Sequence, residues 1–302
     1  MQIITHSGRF YCDDVMSCSL LTILYPDANI VRTDNINAND GDIVVGIGHV
    51  YDHDKKQYDY HQIDFNDRYH INSPTIFSSF GLIWKHYGME LINKVDYKLK
   101  DINVVYDKFY NYFVLPIDCI ANNVKNKNDK YVPYDISQII LNFNLIDDEY
   151  KNFIDIVKLS RAFIFSALEK IIQDQLKFEQ NLDEFNFVFK NRIHNNILIL
   201  NSEFDVMPYL NKYDVHNDIK FIIMYHSDDQ WLILTNKKLF IPILPENECI
   251  KFTDGIICMN ENGFSTKSCH SAVVIAEKSL EYYNSWTYFV KKLVTNLVTK
   301  FW

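Results

Sequence analysis

The first 24 residues have the pattern of a β-strand, a short turn and an α-helix, and this pattern constrains the fold most strongly. Residues 2–5 are strand-like, Gly8 lies in the turn, and apolar residues at helical spacing run through residues 16–24. We predict that Asp13 or Asp14 caps this helix, because carboxylates satisfy the free amides of a first helical turn. A β–α unit at the start favours a sheet covered by helices.

The same alternation continues through the first half of the chain. Residues 29–32 and 42–47 are strand candidates, and residues 75–86 form a helix candidate that Gly88 would end. Strands that alternate with helices are typical of an α/β domain with a mostly parallel sheet. In such sheets ligands gather at the carboxyl ends of the strands, where His6 and the residues after position 47 lie.

The second half of the chain predicts a different organisation. Residues 150–180 keep a helical period of apolar residues over about eight turns, which indicates one or two helices. Three strand candidates follow, at 197–200, 219–225 and 230–235, and residues 285–302 form an amphipathic helix for core packing or a homodimer contact. We therefore expect three parts: an α/β domain over 1–148, connecting helices over 149–184, and a smaller α+β domain over 185–302.

Composition excludes several classes of protein. Hydrophobic residues make up 48% of the 302 residues, which excludes wholesale disorder, and the net charge of −9 gives no general attraction to nucleic acid. The lysines of residues 125–130 indicate a solvated loop. Six cysteines without a C-x-x-C pair indicate reduced thiols in a cytoplasmic or nuclear setting. We expect no signal peptide, no transmembrane segment and no membrane partner, because no apolar run approaches about 20 residues.

Histidines and carboxylates are concentrated in two short stretches of the first 62 residues. His6 lies shortly before Asp13 and Asp14, either of which offers an oxygen ligand, and a second stretch from 49 to 61 contains Asp59 and His61. Imidazole nitrogens and carboxylate oxygens are the ligands that divalent transition metals take in proteins. The sequence therefore points to a metal site, or to the remains of one.

Three motifs carry a resemblance to a known family. They are I-x-T-H-S-G-x-F-x-C-D-D at 3–14, D-I-V-V-x-x-G-x-V-Y-D at 42–52 and Y-D-x-H-Q at 58–62. In this order they resemble the melanocyte-proliferating-gene family of DHH-type metal-dependent phosphoesterases, and further matches at 78–88, 117–123 and 262–264 extend the resemblance over nearly the whole chain. It implies a DHH domain that holds a manganese pair, a C-terminal domain that closes over substrate, and 3′–5′ exonuclease activity on RNA.

The chain departs from the family pattern at ligand positions. The family has histidine where this chain has Tyr11, aspartate where it has Gly46, and histidine where it has Tyr60. A phenol is a poor substitute for imidazole, and glycine offers no side-chain ligand. A later family aspartate is Ala121, and the C-terminal H-x-x-G-F-I-G-G loop, at residues 260–267 here, lacks its histidine and glycine pair. The resemblance therefore implies a degenerate active site.

Five candidate site residues remain. The resemblance implies His61 as the catalytic group and His6, Asp13, Asp59 and Asp118 as an incomplete set of metal ligands. Each also has a structural interpretation: His6 and Asp13 as caps of the first helix, Asp59 and His61 as a buried pair, and Asp118 as a helix cap.

Two further histidines, His49 and His53, stand where the family carries glycine and proline. They offer replacement ligands, although a surface loop that happens to contain two histidines explains them more simply.

Three functional hypotheses follow. The first is a catalytically degenerate relative of an exonuclease, retained as a binding or structural protein without a bound cofactor. The alternative is a residual or rewired manganese-dependent 3′–5′ exonuclease or phosphodiesterase that uses His6, Asp13, His61 and Asp118. The third is a nucleotide- or RNA-binding module without turnover. RNA or another protein is the expected partner.

Overall fold

A computed structural model describes residues 1–95, 98–124, 135–145, 148–226, 230–236, 256–260 and 263–298. For residues 256–260, 263–264 and 286–298 it describes the backbone alone. The chain divides into two units, Met1–Lys177 and Phe178–Trp302. The predicted loop at 125–130, residues 261–262 of the C-terminal motif and residues 299–302 of the predicted last helix lie outside the described residues.

The first unit is built on a five-stranded sheet. Its strands are β1 (Gln2–Thr5), β2 (Asn29–Arg32), β3 (Ile43–Val45), β4 (Tyr51–Asp52) and β5 (Gln57–Tyr58), in the order β2-β1-β3-β5-β4. Every neighbouring pair is parallel except β4 with β5, which form an antiparallel hairpin. The predicted α/β class with a mostly parallel sheet is confirmed.

Helices cover this sheet and supply most of the core. They are α1 (Cys12–Leu24), α2 (Ser79–Lys94), α3 (Ile102–Phe109), α4 (Leu115–Ala121), α5 (Ile136–Asn142) and the long α6 (Glu149–Lys190), with a π-helical turn at Tyr110–Val114 between α3 and α4. All residues of α1 are buried. A helix buried on every side belongs in the centre of its unit, and α1 packs there against α2.

Three predictions about the helices were wrong in detail. Helix α2 starts at Ser79 instead of 75, because the Ser78 side chain caps it, and it continues past Gly88. At that glycine a Cβ would lie 2.7 Å from the Trp84 ring, so the residue makes room for the indole. Helix α1 has Tyr11 as its N-cap instead of an aspartate. The prediction of one or two helices over residues 150–180 is confirmed, since these residues belong to a single helix.

The second unit contains a mixed sheet between two helical layers. Its strands β6 (Ile197–Leu200), β7 (Phe221–His226), β8 (Gln230–Thr235), β9 (Ile256–Asn260) and β10 (Gly263–Thr266) follow the order β6-β7-β8-β10-β9. The end of α6 and α7 (Met207–Tyr213) form one core with the sheet, and α8 (Cys269–Val298) forms another. None of the described helices combines the length and apolar composition that crossing a membrane requires.

Candidate functional site

Three neighbouring parallel strands end side by side, and each is followed by a residue of the predicted site. His6 follows β1, Gly46 follows β3 and Asp59 follows β5. The register pairs Thr5 with Val45, and Val45 with Tyr58, so these positions are adjacent. This is the edge of a parallel sheet at which ligands are expected to bind.

Two cavities open at this edge. The main cavity has a volume of about 590 Å³ and the side cavity about 380 Å³. Both are lined by His6, Gly46, His49 and His61. The main cavity adds Tyr11, Asp13, Asp14, Tyr60 and residues of α4 and α5, whereas the side cavity adds Asp34 and Asp59. The predicted site residues of the first 61 positions are therefore gathered here.

His6 has both ring nitrogens occupied. Its Nε2 lies 2.9 Å from Oδ2 of Asp14, and its Nδ1 lies 2.9 Å from the carbonyl oxygen of Ser7. Both partners accept hydrogen bonds, so both nitrogens donate and the ring is an imidazolium. The bond to Asp14 accordingly raises the pKa of His6 to about 9. A metal ion at Nε2 would therefore have to displace the proton that His6 shares with Asp14.

Asp14, the alternative to Asp13 as an oxygen ligand, organises this part of the site. Its Oδ2 also accepts a hydrogen bond of 2.9 Å from the Tyr11 amide. Its Oδ1 lies only 2.6 Å from where a Cβ on residue 46 would be, and Gly46 has the left-handed φ of +66°. The Asp14 carboxylate thus adjoins the place where a side chain at 46 would begin. The signal available in the sequence was its position three residues after the N-cap, typical of a side chain that bonds back to the cap.

Asp59 and His61 form the hydrogen-bonded pair that was predicted as one alternative, but only Asp59 is buried, because the His61 side chain is 52% exposed. Asp59 Oδ1 accepts 2.7 Å and 3.1 Å bonds from Nδ1 and the amide of His61, and Oδ2 accepts a 2.7 Å bond from the His49 amide. Burial raises the pKa of Asp59, but these hydrogen bonds outweigh it and the net pKa lies below its ordinary value. The side-chain hydrogen bond between Asp59 and His61 raises the pKa of His61.

The two candidate replacement ligands are separated by the structure. His49 lines both cavities, with its ring 6.2 Å from that of His61. His53 instead bonds through Nδ1 to the Tyr58 hydroxyl at 2.7 Å and stacks on His86 with ring centroids 3.7 Å apart. Of the two, His49 alone lines the cavities at the strand ends.

Asp118 has a structural position of its own. It is fully buried, its Oδ1 accepts bonds of 2.9 Å and 2.6 Å from the amide and hydroxyl of Ser78, and its Oδ2 accepts a 3.0 Å bond from the Tyr110 hydroxyl. Burial raises its pKa to about 7. Since Ser78 is the N-cap of α2, Asp118 secures the start of that helix instead of capping its own, and it is not among the residues that line the two cavities.

Three of the positions singled out in the sequence, Tyr11, Asp13 and Tyr60, line the main cavity. Asp13 is 5% exposed, and no other described residue donates a hydrogen bond to its carboxyl group. Burial, and then the charge of Asp14, raises the pKa of Asp13 to about 8. Tyr11 is 49% exposed and Tyr60 half-buried, and burial raises the pKa of the Tyr60 phenol. Both tyrosines face the main cavity, Tyr60 as a neutral phenol.

These residues do not fit a metal pair. A two-metal site needs ions about 4 Å apart with carboxylates that bridge and neutralise them. The nitrogens of His6 and the oxygens of Asp59 are already hydrogen-bonded within the protein, and Asp118 is engaged elsewhere. Within the described ranges no group of three or more histidines, cysteines and acidic residues is arranged to hold an ion.

Comparisons with known proteins give a family and several relatives. A family model named MYG1_exonuc, described as "Uncharacterised protein family (UPF0160)", matches residues 2–238. The MYG1 protein C27H6.8 of Caenorhabditis elegans is 38% identical over 130 residues, 40% of this chain and 38% of that protein. The human MYG1 exonuclease is 37% identical over 131 residues, 40% of this chain and 35% of that protein. The matched segment thus spans less than two fifths of each relative.

Among solved structures, RecJ of Thermus thermophilus in complex with Mg²⁺ aligns with 94% of this chain and 50% of its own, at 10% identity and a TM-score of 0.26. The Mn²⁺ complex of the same protein gives a TM-score of 0.28 at 8% identity, again over 94% of this chain and over 52% of its own.

Proposed function

This chain belongs to the MYG1 exonuclease family, as its motifs predicted, and from that premise we propose that it is a nuclease relative without two-metal hydrolysis, retained as a ligand-binding protein. The family membership supports descent from a DHH-type nuclease. The replacement of ligands at Tyr11, Gly46 and Tyr60 supports the loss of its chemistry.

The observation that carries the proposal is the hydrogen bonding of His6. In a metal site the imidazole must present a nitrogen lone pair, so one ring nitrogen must be unprotonated and directed at the ion. Here Nε2 donates to Asp14 and Nδ1 donates to the Ser7 carbonyl. A metal ion could coordinate His6 only by displacing the Nε2 proton and breaking this ion pair with Asp14.

The loss of a bridging carboxylate supports the same conclusion. Position 46 is the family's aspartate, and its glycine here leaves no side chain between two ions. Two cations about 4 Å apart repel each other strongly unless carboxylates neutralise them. Asp13 remains at the cavity but has no second carboxylate of comparable freedom beside it, because Asp14 is bonded to His6 and to the Tyr11 amide.

Elemental analysis and a nuclease assay test the proposal on the full-length protein. We expect less than one manganese per chain after purification, and no manganese-dependent hydrolysis of RNA or DNA. In a thermal unfolding experiment, an ion at 100 times its dissociation constant would stabilise the protein by about 2.7 kcal/mol. We expect no such gain in millimolar manganese.

The opposite result would support the alternative function. Two ions per chain, or manganese-dependent hydrolysis that His61→Ala abolishes, would identify a rewired 3′–5′ exonuclease or phosphodiesterase instead of a binding protein.

A further inference from the structure

The main cavity combines flat aromatic surfaces with an apolar wall. Tyr11 and Tyr60 line it, and Ile117, Ile120 and Leu141 contribute from α4 and α5. A volume of about 590 Å³ lies within the range of small-molecule sites, which are largely apolar with a few polar groups that fix orientation. The two positions that replaced family histidines have therefore added aromatic surface to the site.

The cavity lacks the groups that recognise phosphate. Among the described residues that line it there is no lysine or arginine. Nε2 of His6 lies beside Asp14 and Nδ1 of His61 beside Asp59, so the charge that either ring carries when protonated already has a partner. The partial positive charge at the N-terminus of α1 is also compensated, because Asp14 accepts the hydrogen bond of the Tyr11 amide. A phosphate group in this cavity would meet carboxylates without a free cation.

Asp13 supplies the polar group that would bind a ligand in this cavity. Its carboxyl group is 5% exposed, faces the main cavity and receives no hydrogen bond from another described residue. Buried polar groups in native proteins are normally hydrogen-bonded, and two N–H donors in the cavity would satisfy this carboxyl group and stabilise its ionised form, which burial alone disfavours. A flat ring that carries N–H groups at its edge would satisfy Asp13 and stack on a tyrosine.

We propose that the main cavity binds an uncharged nucleobase or nucleoside, with the edge N–H groups donating to Asp13 and the ring stacking on Tyr60 or Tyr11. This inference rests on the proposed function, since it takes the cavity to be free of metal ions. It assigns the site a ligand without phosphate, because aromatic stacking and one acceptor replace the charge-based recognition of a phosphodiester.

Isothermal titration calorimetry with three nucleosides and one nucleotide tests the ligand class. Guanosine presents two adjacent donors, N1–H and N2–H, to one carboxylate, inosine lacks the N2 amino group, and uridine places carbonyl oxygens on both sides of its one donor. We expect affinity to fall in that order. Guanosine 5′-monophosphate should bind about tenfold more weakly than guanosine, because its phosphate meets no free cation.

Variants test the residues. At least one of Tyr60→Ala and Tyr11→Ala should weaken guanosine binding by about tenfold, the usual effect of removing a stacking partner. Asp13→Asn keeps the shape of the side chain but replaces one acceptor oxygen by a donor, so it should erase the preference for guanosine over inosine. The matched control is Tyr112→Ala, a 77% exposed tyrosine of the same unit outside the cavity lining, which should bind like the unmodified protein.

The outcomes separate this inference from the proposed function. If guanosine 5′-monophosphate or inorganic phosphate binds as tightly as guanosine, if no nucleoside binds, or if neither Tyr60→Ala nor Tyr11→Ala weakens binding more than Tyr112→Ala does, the inference is wrong while the proposed function stands. If two manganese ions bind per chain, the proposed function itself fails.

Discussion

Restoring the family's aspartate at position 46 should destabilise the protein instead of repairing it. Gly46 has φ +66°, a left-handed conformation that costs a residue with a side chain about 1–2 kcal/mol. A Cβ there would lie 2.6 Å from Asp14 Oδ1 and 3.5 Å from Ser79 Oγ. Asp14 cannot move away without loss, because its other oxygen binds His6 and the Tyr11 amide.

The loss of unfolding free energy is the sum of the backbone cost at position 46 and the cost of the contact with Asp14. Overpacking a buried site costs about 1–3 kcal/mol, so Gly46→Ala should lose about 2–5 kcal/mol of unfolding free energy in total. For a unit of this size that corresponds to a fall in Tm of about 4–20 °C. Gly46→Asp should lose more, because it also sets a second carboxylate against Asp14.

Gly8 provides the matched control. Its φ of +73° resembles that of Gly46, but a Cβ there would have nothing within 4 Å. Gly8→Ala should therefore show the backbone cost alone, about 1–2 kcal/mol. The difference between the two alanine variants, measured by urea unfolding, gives the cost of the contact with Asp14.

A double mutant isolates that contact further. In an Asp14→Ala background the clash is absent, so Gly46→Ala should cost about as much as Gly8→Ala does in the unmodified protein. Equal losses for Gly8→Ala and Gly46→Ala in the unmodified protein would refute the contact. A Gly46→Asp protein as stable as the original, with manganese bound, would refute the reasoning altogether.

Three other changes test separate parts of the site. Asp14→Asn removes the partner of His6, and the His6 pKa, followed by NMR, should fall from about 9 toward 6.5. Because the pKa of His6 is higher in the folded than in the unfolded protein, the ion pair stabilises the fold fully below about pH 6.5, and its contribution disappears as the pH rises through 9. The difference in unfolding free energy between the unmodified protein and Asp14→Asn should therefore shrink across that interval. A constant difference would contradict the pairing. Tyr11→His alone should restore no manganese-dependent nuclease activity, since the other replaced positions still lack ligands, and turnover above that of the unmodified protein would disprove this. Ser78→Ala removes the cap of α2 and one hydrogen bond to buried Asp118, so chemical unfolding should show a loss of about 1–3 kcal/mol, and an unchanged midpoint would show that the cap contributes little.

The sequence predicted the parts of this protein that depend on order along the chain. Alternating strands and helices favour a sheet with parallel neighbours, whose following residues meet at one edge, so His6 and the residues after β3 could be placed together from the sequence. Strands β4 and β5 were not predicted, and Asp59 was assigned to the same site through the family motif alone. The family motifs predicted the same arrangement and the membership that the comparisons support.

The choice of hydrogen-bond partner could not be predicted in the same way. Asp13 and Asp14 are adjacent in the sequence but about 100° apart around a helix, so one turns to His6 and the other to the cavity. The selection depends on where β1 lies beside α1, which is a tertiary relation. The partner of Asp118 is Ser78, 40 residues earlier, and no local pattern identifies it.

The bonds of Asp118 have a consequence for recognising inactive members of the family. A carboxylate that holds the first turn of a helix is needed for folding whether or not the protein turns over a substrate, so mutation can remove the chemistry while purifying selection keeps the aspartate. A sequence search that uses Asp118 as a marker of nuclease activity would also report chains that lack this activity. Positions 11, 46 and 60, which line the main cavity, are the ones to compare instead.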